Sequence, residues 1–250
     1  MSDIAYNSLA RYYDKFTLDV PYEKFADFYE QIFREHGLKP QLVLDLACGT
    51  GTLTWLMAGR GYEMIGTDQS SEMLTQAYSK FYPDYLTEEE MEKCISPVFL
   101  NQSMTELDLY GTIEACICSL DSVNYVTDIN DLDRAFSLVS LFTEPGGIFI
   151  FDVNTPEKLE GLDQTAYTRE CDEAFCVYQA DYSFEEKLLT YTIDIFERKG
   201  KLYSRSQEYH MERAYTTDEL FALLSKNGFV NIKEYPSHEK GRIFFSAIKQ

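Results

Sequence analysis

Basic residues are scarce in this chain. Lysine and arginine total 22 against 42 aspartates and glutamates, a net charge of −20 over 250 residues. Binding nucleic acid requires cations that neutralise phosphates, so DNA and RNA are disfavoured as partners, and an anionic membrane surface is disfavoured on the same ground. A neutral or cationic small molecule, or a basic protein, is recruited more easily. There is no secretory leader and no apolar run of bilayer length, so the chain reads as soluble and cytoplasmic. The six cysteines, at 48, 94, 116, 118, 171 and 176, form no Cys-x-x-Cys pair. Cys116 and Cys118 alternate within an apolar stretch and read as reduced thiols on one side of a core strand. No metal site is expected, and oligomeric state leaves no mark in the sequence.

What the chain does contain is a strand, a glycine turn and a helix at residues 41–58. Leu42, Val43, Leu44 and Leu46 surround a single acid, Asp45. A short apolar run closed by small residues predicts a buried strand ending in a tight turn. Leu53, Leu56, Met57 and Ala58 then recur at helical spacing. Gly49 and Gly51 permit positive φ and remove the Cβ that would hold a ligand off the backbone. The following helix directs free N–H groups at the turn. A dinucleotide fingerprint requires a third glycine, where this chain has Thr54, and a phosphate loop requires a lysine that is absent. Asp45 would repel a pyrophosphate and attract an ammonium. S-adenosylmethionine meets these conditions: it carries an adenosine, a free amino-acid head and a sulfonium, and no phosphate.

The run Asp45-Leu-Ala-Cys-Gly-Thr-Gly51 resembles the first motif of the class I S-adenosylmethionine-dependent methyltransferases, with Ala47 where many members carry glycine. The resemblance implies a doubly wound, seven-stranded, mostly parallel α/β sheet, with S-adenosylmethionine bound past the carboxyl end of the first strand. Tyr6-x-x-x-Ala10-x-x-Tyr13-Asp14 resembles the amino-terminal segment of small-molecule members, in which a tyrosine reaches the methionine carboxylate; here that is Tyr13. Packing is the alternative for Tyr12 and Tyr13.

Taken in order, residues 1–40 carry apolar positions at helical spacing (Leu9, Tyr12, Tyr13, Phe16; Phe25, Phe28, Tyr29, Ile32, Phe33) and form a helical cap. Residues 62–68 make a second strand ending in Asp68. An acid about 20 residues past the glycine turn can accept both hydroxyls of an adenosine ribose; capping the helix that begins near Ser71 is its alternative role. Gln69 is placed at the adenine edge. Residues 82–96, rich in glutamate, read as a solvated insertion. A third strand, 97–100, leads into Asn101-Gln102-Ser103-Met104. The family often has an adenine-binding aspartate there, a place Ser103 takes, with Gln102 or the Met104 N–H sharing the contact. The fourth strand, 112–119, leads into Leu120-Asp121-Ser122-Val123-Asn124-Tyr125. That stretch resembles the motif facing the transferred methyl group. It implies Leu120 beside the cofactor, with Asp121, Asn124 and Tyr125 toward the substrate; a turn cap is the alternative for Asp121. A helix containing Leu132, Phe136, Leu138, Val139 and Leu141 follows. Pro145-Gly-Gly then turns the chain into a fifth strand, 148–154.

Residues 155–213 leave the βα rhythm. Strand-forming, partly alternating segments at 171–184, 188–198 and 201–213 predict an inserted antiparallel sheet that lies over the substrate. His210 and Glu212 share a face of its last strand; His210 is either a general base or a packed residue. A helix, 217–227, capped by Thr216 or Thr217, and a closing hairpin (229–235, 242–248) complete a single domain of 250 residues.

Methyl transfer from a sulfonium is an in-line displacement that needs positioning and exclusion of water, and a base only where the nucleophile arrives protonated. Asp121, Tyr125 and His210 are the catalytic candidates. A small-molecule acceptor is expected, nitrogen before oxygen, from the acidic charge and the similarity to small-molecule N-methyltransferases. A non-catalytic S-adenosylmethionine-binding protein and a nicotinamide-dependent oxidoreductase are the alternatives.

Overall fold

The computed structural model describes residues 8–80 and 95–250. Tyr6, Cys94 and nearly all of the glutamate-rich stretch 82–96 lie outside them. The glycine turn follows β1 (Leu42–Leu46), an interior strand of a seven-stranded sheet ordered β10-β11-β5-β4-β1-β2-β3. Its other members are β2 (Glu63–Asp68), β3 (Val98–Asn101), β4 (Ile113–Cys118), β5 (Thr143–Asn154), β10 (Phe229–Pro236) and β11 (Arg242–Lys249). β1 pairs in parallel with β2 and with β4, while β11 runs antiparallel to both β5 and β10. This is the Rossmann-like, mostly parallel sheet expected from the motifs.

The central strands bury both faces, which is why they read as continuous apolar runs. Val43, Ala115, Ile117, Ile148 and Ile150 face α2 (Tyr22–Glu35) and α3 (Thr52–Gly59). Leu44, Leu46, Cys116, Cys118, Phe149 and Phe151 face α5 (Ile129–Phe142) and α7 (Thr217–Lys226). Cys116 and Cys118 thus share a side, as their alternation predicts. Helix α5 buries Leu132, Ala135, Phe136 and Val139, whereas Leu141 is exposed, one step off that stripe. Thr216 begins α7 with a complete capping box, its hydroxyl on the Glu219 N–H and the Glu219 carboxylate on the Thr216 N–H. Pro145-Gly-Gly, expected as a turn before the strand, sits inside β5: Ile113 pairs with Thr143 but Ala115 with Ile148, so the intervening residues bulge out.

After β5 and α6 (Pro156–Glu160) the chain builds a separate antiparallel sheet, ordered β6-β7-β8-β9: β6 (Thr165–Glu170), β7 (Ala174–Ser183), β8 (Leu188–Lys199) and β9 (Leu202–Arg213). The edge strand β6 was not expected. Its sequence, Thr-Ala-Tyr-Thr-Arg-Glu, is polar and mostly exposed, so no buried alternation marks it. The inner face of this sheet packs through Leu189, Ile193 and Ile195 onto Leu9, Tyr12 and Phe16. Those three belong to a 3-10 turn (Leu9–Tyr12) and the short α1 (Tyr13–Phe16). Each side chain so buried stabilises the contact by about 1.5–3 kcal/mol. The amino-terminal segment is thereby held between the inserted sheet and the glycine turn.

Candidate active site

The chain leaves β1 for β2 and β3 on one side and returns to β4 on the other, so β1 and β4 flank a topological switch point, where open α/β sheets bind ligands. A cavity of about 310 Å³ lies there. Ala47 and Gly49 line it from the turn after β1, Asp68 and Gln69 from β2, Gln102, Ser103 and Met104 from β3, and Leu120 and Tyr125 from β4; Tyr13 of α1 closes it. Nine of the expected cofactor residues and one of the expected catalytic residues are therefore on one surface.

The turn is left-handed at Ala47 (φ 59°), Gly49 (φ 56°) and Gly51 (φ 69°). The family's glycine at the Ala47 position fits that backbone, since a Cβ there costs about 1–2 kcal/mol. At Gly49 a Cβ built on the backbone would meet nothing within 4 Å, so the space over it is open. Gly51 corrects the expectation. It does not line the cavity, and a Cβ there would stand 3.0 Å from Ala77 and from the Phe99 ring. Its smallness serves the packing of α3 against α4 (Ser71–Ser79) and β3.

Asp68 is fixed by backbone donors, the Gly49 N–H to Oδ2 at 2.9 Å and the Ser70 N–H to Oδ1 at 2.8 Å. Burial raises its pKa while these two bonds oppose the shift. Asp68 does not cap α4; Ser70 does, accepting the Met73 N–H at 3.1 Å. Each Asp68 oxygen retains acceptor capacity at the lip of the cavity. The Gln102 side chain is turned onto the backbone of Asp108, donating to its carbonyl and accepting its N–H. Ser103 caps the next turn by accepting the Thr105 N–H at 3.3 Å. Both line the cavity with their polar groups already partnered.

Asp45 lies deeper, buried beneath the turn. Thr54, in the place of the third glycine, donates its hydroxyl to Asp45 Oδ2 at 2.6 Å. Burial pushes the Asp45 carboxyl up to about 7, against the Thr54 bond and with the charge of Asp68 adding to the rise. Asp45 borders a second, smaller cavity of about 40 Å³, together with Tyr13, Tyr22, Thr50, Thr52 and Ser119. Tyr13, Ala47, Gly49 and Leu120 line both cavities. Sequence reasoning missed the latch that holds Tyr13 here: Asp14 accepts the Thr50 hydroxyl at 2.6 Å and pairs with Lys80 at 2.7 Å.

On the β4 side Leu120 and Asp121 are both left-handed, at φ 57° and 55°. Their N–H groups donate to the two oxygens of Asp152, at 2.8 and 2.9 Å. Asp152 is wholly buried at the end of β5 and pairs with Arg242, which also donates to Asp121 at 2.7 Å and to Glu239 at 2.9 Å. Asp121 therefore sits in an ion-pair cluster and does not line the cavity; it occupies the cap position of the turn Ser122–Tyr125 without a side-chain cap bond. Asn124 is buried and bridges backbone, donating to the carbonyls of Asn154 and Arg213 and accepting the Asn154 N–H. That explains its identity and removes it from the substrate side. Asp152 closes an apolar strand with a polar residue, a signal the sequence did offer; Arg242 had none.

His210 is buried too, its Nε2 3.0 Å from Glu208, and its ring meets Tyr125 edge-on at 6.0 Å. Glu208 also accepts the N–H groups of Ser8 and Leu9. The inserted sheet thus joins both the amino-terminal segment and the β4 turn. Glu212, two residues on, accepts from Asn154 Nδ2 at 3.1 Å.

The donor set distinguishes between ligands. Asp68 and Asp131 line the larger cavity and, among the described residues, no lysine or arginine does, which is unsuitable for a diphosphate and suitable for a phosphate-free cation. A family model described as a methyltransferase domain matches residues 43–147. The putative methyltransferase YqeM of Bacillus subtilis is 28% identical over 98% of this chain and 97% of its own length. The crystal structure of an S-adenosylmethionine-dependent methyltransferase from Clostridium acetobutylicum is 31% identical, with a TM-score of 0.80 over 98% of this chain and 99% of that one. The sugar N-methyltransferase KedS8 of a Streptoalloteichus species has the same fold, at 17% identity and a TM-score of 0.77 over 95% and 92% of the two chains. The chain belongs to the class I S-adenosylmethionine-dependent methyltransferases, and its cofactor is S-adenosylmethionine.

Proposed function

We propose that this methyltransferase acts on a small molecule, at an amine nitrogen in preference to oxygen, by direct displacement. The observation that carries the reading is the junction of the two cavities at Tyr13, Ala47, Gly49 and Leu120: one side offers Asp68, the other offers Asp45. Asp68, with each oxygen steadied by a backbone N–H, accepts the ribose hydroxyls. Gln69, Ser103 and Met104 flank the adenine, and Tyr13 and Asp45 meet the charged amino-acid head. Bound there, S-adenosylmethionine supplies an electrophilic methyl carbon on sulfur. Leu120 and Tyr125 hold the acceptor on the opposite side of the junction, and the inserted sheet excludes water from it. His210, tied to Glu208 and edge-on to Tyr125, takes the acceptor's proton where one must leave. Nitrogen is favoured by the net charge of −20 and by the fold shared with a sugar N-methyltransferase. The same charge argues against a nucleic-acid substrate, and among the described residues no helix is long and apolar enough to cross a membrane.

Two measurements test this. Calorimetry with S-adenosylhomocysteine is expected to show binding that Asp68→Ala weakens at least about tenfold, the worth of one charge-assisted hydrogen bond. Unaltered affinity would remove Asp68 from the site. Methyl transfer to a panel of amines, phenols and carboxylic acids, followed by mass spectrometry, is expected to yield N-methyl products; methylation confined to oxygen acceptors refutes the nitrogen reading.

A further inference from the structure

The inner face of the inserted sheet carries a set of side chains that the cofactor site does not use. In register across the strands, Tyr167 of β6 opposes Tyr178 of β7, Tyr178 opposes Ile193 of β8, and Ile193 opposes Glu208 of β9; the neighbouring row is Ala180, Tyr191 and His210, and the next is Tyr182, Leu189 and Glu212. Directly opposed residues share a face, so four tyrosines, two glutamates and a histidine look the same way. Tyr167 and Tyr178 stack at 4.6 Å with an interplanar angle of 6°, and Tyr191 stands edge-on to Tyr178 at 6.5 Å. Tyr167 is 40% exposed at the open edge of the sheet, whereas Glu212 is 3% exposed at the inner end. The face thus leads from solvent, along aromatic rings, to a buried carboxyl beside the β4 turn.

At that inner end acceptors outnumber donors. Among the described residues Glu212 has one hydrogen bond, from Asn154 Nδ2, and Asn154 Oδ1 is buried without a partner. Two cations act on Glu212, Lys158 and Arg242; Arg242 is already committed to Asp121, Asp152 and Glu239, and Lys158 pairs with Glu239. A buried amide oxygen without a donor costs free energy until one arrives, and the site lacks a donor of positive charge. Aromatic faces beside a carboxylate are the arrangement that recognises ammonium groups.

We propose that the methyl acceptor is a small amine, captured as its ammonium at Glu212 and Asn154 Oδ1 with its body along Tyr191, Tyr178 and Tyr167; before transfer the nitrogen gives one proton to His210, two residues from Glu212 on the same face, and the freed lone pair attacks the methyl carbon as the thioether leaves. This rests on the nitrogen reading above and narrows it: anionic conjugates of amines are excluded, and Glu212 and the tyrosines select the substrate. Binding exchanges a proton. Burial and the charge of Asp121 push the Glu212 carboxyl up to about 8, opposed by the Asn154 bond and by the charges of Lys158 and Arg242, so at neutral pH it is mostly protonated. An arriving ammonium pairs with the carboxylate, and the Glu212 proton passes to solvent. Tyr167 and Tyr191 also face Glu212, and both hold their protons, their pKa values raised by burial and by this same carboxylate. The proton released on binding is therefore that of Glu212.

The experiment is calorimetry on the full chain saturated with S-adenosylhomocysteine, using matched pairs as probes: benzylamine against benzyl alcohol, cyclohexylamine against cyclohexanol, tyramine against its alcohol. Amines are expected to bind about tenfold or more tightly than their alcohols, as a charge-assisted contact predicts. At pH 7 they should release a proton, read from the dependence of the heat on buffer ionisation enthalpy. Glu212→Gln is expected to lose the amine preference and the proton release while binding S-adenosylhomocysteine as before. Equal binding within pairs, no binding of any amine at millimolar concentration, or proton release that persists in Glu212→Gln overturns the proposal. The amine-over-alcohol preference of the unaltered protein decides the matter alone if the variant fails to fold. If amines are methylated while Glu212→Gln keeps its affinity for them, this assignment fails and the nitrogen reading stands; if only oxygen acceptors are methylated, the nitrogen reading itself fails.

Discussion

Replacing Arg242 by methionine tests the central electrostatic feature of the site. The Arg242 side chain is 7% exposed and bridges Asp121, Asp152 and Glu239. Glu239 is half exposed and regains water when the bridge is lost, so its share is small. Asp152 is wholly buried, and it also holds Leu120 and Asp121 in the left-handed region, where each residue costs about 1–2 kcal/mol. Removing one partner of a buried ion pair costs about 3–5 kcal/mol because the other charge is left uncompensated. For a chain of this length that is roughly 6–20 °C in Tm, at about 2–4 °C per kcal/mol. The sign of the pH dependence follows from Asp152. Its folded pKa is raised, chiefly by burial, despite the opposing charge of Arg242; without that charge it rises further. The native variant then binds a proton that the unfolded chain has released, so its stability falls as pH climbs from about 4, the unfolded value, and recovers in acid. Urea unfolding at a series of pH values, with the m-value checked for constancy, reads both effects. Adding Asp152→Asn to the variant should restore part of the loss, since it removes the stranded charge. A loss below about 1 kcal/mol, or one independent of pH, would refute the view that Arg242 organises the β4 turn.

Other expectations concern the glycine turn. Ala47→Gly relieves about 1–2 kcal/mol of left-handed strain and adds about 0.4–1 kcal/mol of unfolded-state entropy; thermal unfolding should show a stability that is unchanged or higher, and a clear loss contradicts the strained geometry. Asp45 has a folded pKa raised to about 7 from 3.8, so the cofactor-free protein should lose stability as pH rises from about 4 to about 7. Asp45→Asn is expected to reduce that slope, the remainder coming from Asp68, Asp152 and Glu212, whose carboxyls are also raised, to raise Tm at pH 8 and to weaken S-adenosylhomocysteine binding. A wild-type melting profile flat across that range counts against the buried carboxyl.

The strands and helices were legible because burial imposes short periods. Val43 and Leu44 face opposite helix layers, which a fully apolar run implies, and Thr216 with Glu219 spells its capping box within four residues. The site was legible where one turn supplies both shape and chemistry: Ala47, Gly49, Asp68 and Gln69 meet on one cavity. It was illegible where a residue's role depends on a partner far along the chain. Gly51 is small because of Phe99 and Ala77, not because of a ligand. Asp121, expected toward the substrate, is held by Arg242, and Asn124 by the backbone of Asn154 and Arg213. Edge strand β6 lacks a buried side and so lacks a pattern.

Sequence alone determined the order of elements in the seven-stranded sheet, the α/β architecture and the identity of the cofactor, since each depends on residues within about a turn of one another or on a turn's intrinsic backbone needs. Tertiary structure alone decided which acids are free and which are neutralised, and which tyrosines of the inserted sheet share a face with Glu212. Charge and exposure are properties of a neighbourhood in space. That neighbourhood is assembled from β4, β5, β9 and β11, segments whose separation in the chain no local pattern records.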